Sequence, residues 1–184
     1  MSTARITGIV LAGGRSTRFG EDKLVATVDG RTLLHRALAA VAEVVDEIVV
    51  VAGFGAPEPP LQADVGVPII VARDAIPDGG PLAGLAAGLA IASHPSALLV
   101  GGDQPALQPA LLCELLRRLS AGGDTDHATL DVVALEEDGQ LRPLPVALRV
   151  ATVRLAAEAA RARRACGIPA CSRTSTPAED ATTT

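Results

Sequence analysis

Residues 6–12 read ITGIVLA and are followed by Gly13 and Gly14. A short run of β-branched and aliphatic residues that stops at glycine is typical of a buried β-strand. The polar stretch from Gly13 to Gly30 then predicts a long loop, and loops of that length in a compact domain are usually functional. This part of the sequence therefore predicts a first strand whose carboxyl end opens into a functional loop.

Strands and helices alternate along the rest of the chain. Thr32 can cap a helix that runs to about Val45. The further predicted strands are 47–52, 68–72, 97–100, 131–135 and 144–148, and the further predicted helices are 81–92, 109–119 and 151–164. Only the turn-rich segment EEDGQLRP, at 136–143, separates the last two strands, so one of them should be antiparallel. We predict one α/β domain over residues 1–165, a Rossmann-like, mostly parallel twisted sheet with helices on both faces.

The composition narrows the classes of function. Hydrophobic residues make up 48% of the chain and aromatic residues only 1%, so the core should consist of Val, Leu, Ile and Ala. The net charge of −5 argues against a duplex nucleic-acid binder, which would carry a basic face. The sequence contains neither a signal-peptide pattern nor an apolar stretch of about 18 residues, so we expect a cytoplasmic protein without a membrane span. No oligomeric state is predicted.

The cysteines and histidines do not form a recognisable site. Cys113 is expected to be a small buried residue on a helix. Cys166 and Cys171 lie in the segment 166–184, which is rich in Ser, Thr, Pro and Ala and is expected to be a poorly ordered tail. We predict neither a disulfide framework nor a zinc site. The histidines are isolated, and none is expected to be catalytic. They are His35, His94 and His127.

Three polar loops should meet at the carboxyl edge of the sheet, where open α/β sheets bind their ligands. They follow the strands that end at Ala12, Ala72 and Val100. In the first loop, Gly13 and Gly14 let backbone N–H groups approach an anion. The same loop contains three cations that suit a triphosphate, namely Arg15, Arg18 and Lys23. The dinucleotide pattern G-x-G-x-x-G and the Walker pattern are both absent, which disfavours a Rossmann oxidoreductase.

These loops resemble those of a known family. Leu11-Ala12-Gly13-Gly14, followed by Ser16, Arg18, Gly20, Asp22 and Lys23, is similar to the signature loop of the MobA-like nucleotidyltransferases, which include the molybdenum cofactor guanylyltransferases. The resemblance continues with Asp74 and the GPLAG segment at 80–84, with the GDQP segment at 102–105, which resembles the family's C-D-x-P motif, and with Arg142-Pro143-Leu144. It covers residues 6–149.

The resemblance implies an enzyme that transfers the nucleotidyl group of a nucleoside triphosphate, GTP in the first instance, to the phosphate of molybdopterin or a similar acceptor. Pyrophosphate is released, and Mg²⁺ is the implied cofactor, with Asp103 as its ligand. The implied catalytic residues are Arg18, Lys23 and Asp103. The implied nucleotide-binding residues are Leu11, Ala12, Gly13, Gly14, Arg15, Arg18, Lys23, Asp74 and Gly80.

Some roles and substrates stay open at this stage. Asp74 is either a second metal or nucleotide ligand or a residue that shapes its turn. Arg142 either contacts the acceptor's phosphate or is an exposed turn arginine. A relative that uses CTP, a sugar-phosphate nucleotidyltransferase and a nucleotide-binding protein that has lost catalysis are the alternative functions.

The sequence departs from the family pattern at three places. Gly102 stands where guanylyltransferases often have Cys, which predicts looser packing beside Asp103. Gly53 stands where some relatives have Asn, which leaves base selection open. Residues 175–180 only faintly resemble the family's acidic ending, so we expect the acceptor side to be rebuilt or incomplete.

Overall fold

The described residues of this computed structural model are 5–13, 23–61, 65–77, 79–122 and 130–165, and Lys23 and residues 161–165 are described by their backbone alone. The strands are β1 (Ile6–Ala12), β2 (Thr27–Val28), β3 (Arg31–Thr32), β4 (Glu47–Ala52), β5 (Ile69–Arg73), β6 (Ser96–Gly101), β7 (Val132–Glu137) and β8 (Gln140–Arg149). The helices are α1 (Leu33–Ala42), α2 (Gly80–Ile91), α3 (Pro109–Ala121) and α4 (Val150–Ala165), with a short 3-10 helix at Lys23–Val25.

Six strands form one mixed sheet in the order β5-β4-β1-β6-β8-β7. The four strands β5, β4, β1 and β6 are parallel, and β8 runs antiparallel to both of its neighbours. The predicted Rossmann-like sheet and its antiparallel strand are therefore confirmed. From β1 the chain proceeds outward to β4 and β5, and it then returns to place β6 on the other side of β1. The carboxyl ends of β1 and β6 consequently form the topological switch point of the sheet.

Aliphatic side chains cover both faces of the sheet. On one face, α1 and α3 pack against Val10, Val50 and Val100, while on the other α2 and α4 pack against Ile9 and Val49. The buried hydrophobic residues of the described chain are Val, Leu, Ile and Ala, as the composition predicts. Burial of each of these Val, Leu or Ile side chains contributes about 1.5–3 kcal/mol to the stability of the fold. The sheet that positions the site is therefore held by a packed core on both faces. Within the described residues, no helix is long and apolar enough to cross a membrane.

Glycine lets α2 lie close to the central strand. A Cβ on Gly88 would lie 2.6 Å from Ile9 Cγ2, and one on Gly84 would lie 3.1 Å from Leu11 Cδ2. A larger residue at either position would push α2 away from β1. The GPLAG segment therefore packs the start of α2 tightly on the strand that leads into the first loop.

Element boundaries differ from the prediction where local turn chemistry decides them. Thr32 caps α1 as predicted, its hydroxyl accepting a hydrogen bond from His35 N at 3.1 Å, but the helix ends at Ala42 rather than near Val45. The stretch predicted as a loop up to Gly30 contains the 3-10 helix and the small hairpin β2–β3. The predicted connection at 136–143 is wrong, because Asp138 and Gly139 alone form the turn, with φ of 52° and 72°. Two positive φ angles at Asp-Gly make a tight hairpin turn, so the β7–β8 ladder continues up to it.

The prediction that Cys113 is buried is wrong, since its side chain is exposed. On α3 the buried side chains are Leu112, Leu115 and Leu119, which recur at helical spacing. Cys113 follows Leu112 by one residue, a rotation of about 100°, and so leaves the buried stripe. His35 lies on α1 and His94 in the connection before β6. The remaining residues of this prediction, Cys166, Cys171, His127 and the tail 166–184, lie outside the described residues.

A buried carboxylate fastens the sheet at the edge opposite the predicted site. Glu47, at the start of β4, accepts hydrogen bonds from the Thr7 hydroxyl at 2.6 Å and from Ser93 N at 2.8 Å. Burial alone would raise the pKa of Glu47, but the hydrogen bonds from Thr7 and Ser93 and the nearby His94 outweigh it and hold the pKa below its ordinary value. Folding therefore favours the ionised form of Glu47.

This network makes stability depend on acidity. Because folding lowers the pKa of Glu47, its contribution is present above about pH 4.3 and is lost as the pH falls through the folded value. We expect Glu47→Gln to lower the free energy of unfolding by about 1–3 kcal/mol near neutral pH and by progressively less as the pH falls below the ordinary glutamate pKa. Urea unfolding of the parent and the variant across this range measures the difference. Glu58→Gln, which changes an exposed carboxylate, is the control, and a Glu47→Gln deficit that does not change with pH would contradict the account.

Candidate functional site

The loops that leave four parallel strands are joined at the carboxyl edge of the sheet. Leu11 O accepts a hydrogen bond from Gly102 N, and Ala52 O accepts one from Asp74 N, each at 2.9 Å. The first bond ties the end of β1 to the residue after β6, and the second ties the end of β4 to the residue after β5. The strand ends from which the three predicted loops leave therefore lie along one edge of the sheet, which includes the switch point between β1 and β6.

The backbones of Gly13 and Gly53 are in direct contact. A Cβ on Gly13 would lie 2.5 Å from Gly53 N and 2.7 Å from Gly53 Cα, which no side chain tolerates. A Cβ on Gly53 would lie no closer than 3.4 Å to Gly13 Cα. The close approach thus demands glycine at position 13 in particular. Neither residue at this junction of β1 and β4 carries a side chain, so a phosphate or sugar can approach the backbone there.

Asp103 presents an exposed carboxylate beside the switch point, two residues beyond the end of β6. Within the described part of the chain, no hydrogen bond or ion pair engages this carboxylate. Carboxylate, phosphate and water oxygens are the ligands that Mg²⁺ prefers. Nowhere among the described residues do three His, Cys, Asp or Glu side chains form a group that could hold a metal. The donor set at Asp103 suits an ion that takes most of its ligands from a substrate.

The prediction of loose packing at Gly102 is wrong. Gly102 is buried, and a Cβ there would lie 3.1 Å from Leu11 O, Leu24 Cδ2 and Leu34 Cδ1. The two leucines occupy the space that a side chain at position 102 would need. Asp103 therefore leaves a tightly packed turn rather than a loose one.

Gln104 holds this turn, a role that the sequence did not predict. Its Oε1 accepts a hydrogen bond from Gly101 N at 2.9 Å, and its Nε2 donates to Leu144 O of β8 at 3.4 Å. An amide side chain can accept and donate at the same time, which a carboxylate or an amine cannot. The one available signal is that Gln104 lies inside the motif, between Asp103 and Pro105. It links the turn that presents Asp103 to the neighbouring strand.

Removal of the Gln104 side chain should therefore destabilise the fold. Gln104→Ala leaves the buried Gly101 N–H without its acceptor, and we expect a loss of about 1–3 kcal/mol in the free energy of unfolding, measured by urea denaturation. Gln108→Ala is the matched control, because Gln108 precedes α3 without a side-chain capping bond. Equal stability of the two variants would contradict the role of Gln104.

Asp74 shapes its own turn. Its Oδ1 accepts a hydrogen bond from Ile76 N at 2.8 Å, the pattern of an Asx turn, and its side chain is half-buried. Gly80, with φ of 68°, begins α2 at the same edge of the sheet, and Gly79 precedes it without a side-chain cap.

A groove of about 260 Å³ runs from Arg73 and Asp74 between β5 and α2, and alanines form most of its wall. It offers few polar groups, so it does not extend the polar site.

The β7–β8 hairpin rises beside Asp103. Leu99 of β6 pairs with Val146, and in the same register Gly101, the last residue of β6, lies opposite Leu144, so residues 140–143 of β8 extend past the carboxyl end of β6. Arg142 lies on this extension and pairs with Glu137 across the hairpin, and both side chains are exposed. Arg142 is thus an exposed arginine on a strand, not in a turn. The hairpin forms a charged wall on the β6 side of the site.

Most of the predicted cationic loop lies outside the described residues. This applies to Gly14, Arg15 and Arg18, and also to Ser16, Gly20 and Asp22. Lys23 begins the 3-10 helix, and the next residue, Leu24, packs against Leu34 and the turn at Gly102. The chain therefore returns to the site at Lys23, one residue from a direct contact with the turn that presents Asp103.

The chain resembles known proteins in sequence and in fold. The family model of the MobA-like NTP transferase domain matches residues 8–175. A molybdenum cofactor guanylyltransferase of Desulfosudis oleivorans is 36% identical over 140 residues, which cover 76% of this chain and 63% of that protein. A probable molybdenum cofactor guanylyltransferase of Pelotomaculum thermopropionicum is 30% identical over 159 residues, which cover 86% of this chain and 70% of that protein.

The crystal structure of Rv0371c from Mycobacterium tuberculosis H37Rv superposes with a TM-score of 0.65 and 25% identity, covering 85% of this chain and 77% of that one. A probable molybdenum cofactor guanylyltransferase of Natronomonas pharaonis is 40% identical over 113 residues, 61% of this chain and 56% of that protein. The chain thus spans less than two thirds of several curated relatives that it matches. The family match nevertheless extends over almost the whole sequence, and this chain belongs to the MobA-like NTP transferase family.

Proposed function

We propose that this chain is a nucleotidyltransferase that transfers GMP from GTP to the phosphate of molybdopterin, with release of pyrophosphate. The observation that most supports the proposal is the hydrogen bond from Gly102 N to Leu11 O, which joins the end of β1 to the residue before Asp103. This bond supports a site at the switch point in which the Gly13 backbone contacts phosphates and the exposed Asp103 carboxylate binds a cation. The names of the sequence relatives, molybdenum cofactor guanylyltransferases, support the choice of base and acceptor.

In this proposal the backbone of Leu11–Gly14 holds the nucleotide, and Arg15, Arg18 and Lys23 neutralise its phosphates. Three cations within one loop match the roughly four negative charges of a triphosphate. Asp74, whose Oδ1 already accepts from Ile76 N, contacts the nucleotide through its second oxygen. Gly80 brings the start of α2, with its backbone N–H groups, to the same side of the site.

Asp103 is the proposed ligand of a divalent cation, with Mg²⁺ as the expected ion. When bound, the cation supplies neutralisation of the charge that develops on the phosphates during transfer. The exposed carboxylate, at the edge of a tightly packed turn, suits an ion that is otherwise coordinated by phosphate and water. Support for a divalent ion comes from the fold neighbour Rv0371c, of which a manganese complex has been crystallised.

The proposed transfer needs alignment more than proton removal. An oxygen of the acceptor's phosphate attacks the α-phosphorus and forms a new P–O bond, while the bond from the α-phosphorus to the bridging oxygen breaks and pyrophosphate leaves. The attacking phosphate is already ionised, so no strong general base is required. Arg18 and Lys23 are therefore assigned to align and neutralise the phosphates, not to accept a proton. Arg142, on the wall beside Asp103, is proposed to meet the acceptor's phosphate.

The test is pyrophosphate release from GTP, CTP, ATP and UTP with Mg²⁺, with and without the molybdenum-free or molybdenum-loaded pterin acceptor. We expect release that depends on the acceptor and is fastest with GTP. Fastest release with CTP would replace the base while keeping the site. Binding of a triphosphate without any release of pyrophosphate would replace nucleotidyl transfer by a binding function.

A further inference from the structure

Phe54 is an exposed aromatic residue at the site, in a chain with almost none. The sequence contains two Phe, no Trp and no Tyr. The side chain of Phe54 is 58% exposed, although Phe carries one of the largest apolar surfaces of any residue and usually lies in a core. Its position is next to Gly53, whose backbone contacts Gly13. The exposed ring is therefore one residue from the junction of the β1 and β4 loops.

The turn that bears Phe54 is held in place from both sides. Ala56 N donates to Gly53 O at 3.1 Å, which closes the turn, and Gly55 adopts the φ of 66° that such a turn needs. Arg73 Nη1 donates to Ala56 O at 2.8 Å and ties the turn to the end of β5. The backbone under the ring is thus fixed before any ligand arrives, which lowers the entropic cost of binding to it.

The turn also differs in polarity from the rest of the site. Residues 53–57 read GFGAP and contain no charged side chain, whereas the cations lie in the loop after β1 and the carboxylate lies after β6. The strand order places β4 and β6 on opposite sides of β1. Strands are about 4.8 Å apart, so the ends of β4 and β6 are separated by about 10 Å. The apolar turn after β4 and the exposed Asp103 carboxylate after β6 therefore lie on opposite sides of the end of β1.

We propose that Phe54 is the surface on which the base of the bound nucleotide stacks. The inference rests on the proposed nucleotide site. A nucleotide has one charged end and one flat aromatic end. The β6 side, with Asp103, suits the phosphates and their cation, and the apolar turn on the β4 side suits the base. Every base has a π face, so the ring contributes affinity for all four bases and does not select among them. Base selection must then come from hydrogen-bonding groups elsewhere in the site.

The test separates the base from the phosphates. Calorimetric titration with GTP and with inorganic tripolyphosphate, both with Mg²⁺, is carried out on the parent and on Phe54→Ala. We expect the variant to bind GTP about tenfold more weakly and tripolyphosphate with unchanged affinity. CTP and ATP should weaken by a similar factor. An equal loss for GTP and tripolyphosphate, or no loss for either, would overturn the stacking role.

A second measurement uses tryptophan fluorescence, because the chain contains neither Trp nor Tyr. In Phe54→Trp the new indole is the sole Trp of the chain, and GTP should quench its fluorescence while tripolyphosphate should not. Leu155→Trp is the control, because Leu155 is 69% exposed on α4, which begins at the opposite edge of the sheet where Val150 N bonds to Pro95 O. Its fluorescence should not respond.

The outcomes distinguish the two proposals. If the parent binds GTP but Phe54→Trp is not quenched and Phe54→Ala binds as the parent does, the stacking role fails and the proposed function stands. If the parent binds neither GTP nor tripolyphosphate, the proposed nucleotide site fails and the stacking role fails with it.

Discussion

Replacement of Asp103 by Asn is expected to lower the rate of nucleotidyl transfer by about 10³-fold or more while leaving the fold intact. Asn has the shape of Asp but lacks its charge, so it is a poor ligand for a divalent cation. The loss follows because the charge that builds up on the phosphates would no longer be offset. Steady-state pyrophosphate release, with Mg²⁺ varied, measures both the rate and the metal requirement.

The fold should survive this change because Asp103 is exposed and has no hydrogen-bond partner within the described residues. Asp46→Asn is the matched control. Asp46 lies before β4, at the edge of the sheet opposite the site, where its Oδ2 accepts from Ile6 N. An Asn oxygen can still accept that bond, so transfer should stay within a few-fold of the parent. Transfer by Asp103→Asn at the rate of the Asp46→Asn control would remove Asp103 from the catalytic set.

Gly13→Ala is expected to damage both the fold and the site. The added Cβ would lie 2.5 Å from Gly53 N, 2.7 Å from Gly53 Cα and 3.2 Å from Ala52 C, all backbone atoms that cannot rotate away. The ends of β1 and β4 must then separate, and such overpacking costs about 1–3 kcal/mol. Since the same backbone is the proposed phosphate surface, we expect GTP affinity to fall by about 100-fold, as measured by calorimetric titration.

Gly53→Ala tests the same contact from the other side. Its Cβ would lie 3.4 Å from Gly13 Cα and 3.8 Å from Ala56 Cβ, which are ordinary contacts. The two substitutions are chemically identical and their sites adjoin, so the difference isolates the collision at Gly13. We expect the free energy of unfolding and the GTP affinity of Gly53→Ala to be close to those of the parent. Equal damage by the two variants would show that the geometry of this junction is misjudged.

The sequence was most informative where a strand is buried on both faces. The predicted limits of β1 and β4 coincide with the observed ones, because helices cover these strands and their apolar runs are uninterrupted. The motif residues also fell at the predicted edge, since the carboxyl ends of parallel strands lie together. Gly13, Asp74 and Asp103 could therefore be grouped without a structure.

Other features depend on partners that are distant in the sequence. Nothing near Gly102 indicates that Leu24 and Leu34 fill the space beside it. The bond from Gln104 to Leu144 joins residues 40 positions apart, so the positioning role of Gln104 could not be seen. The Asp138-Gly139 pair is itself typical of a tight hairpin turn, but the charged residues around it favour a longer connection.

The most direct test uses GTP with a labelled phosphate and measures which product carries the label after reaction with the pterin acceptor. With the label on the α-phosphate, we expect it to appear in the acceptor product. With the label on the γ-phosphate, we expect it to appear in pyrophosphate, and both products should be lost in Asp103→Asn. Label from the γ-phosphate in the acceptor, or equal transfer by the parent and Asp103→Asn, would contradict nucleotidyl transfer at the edge of β1 and β6.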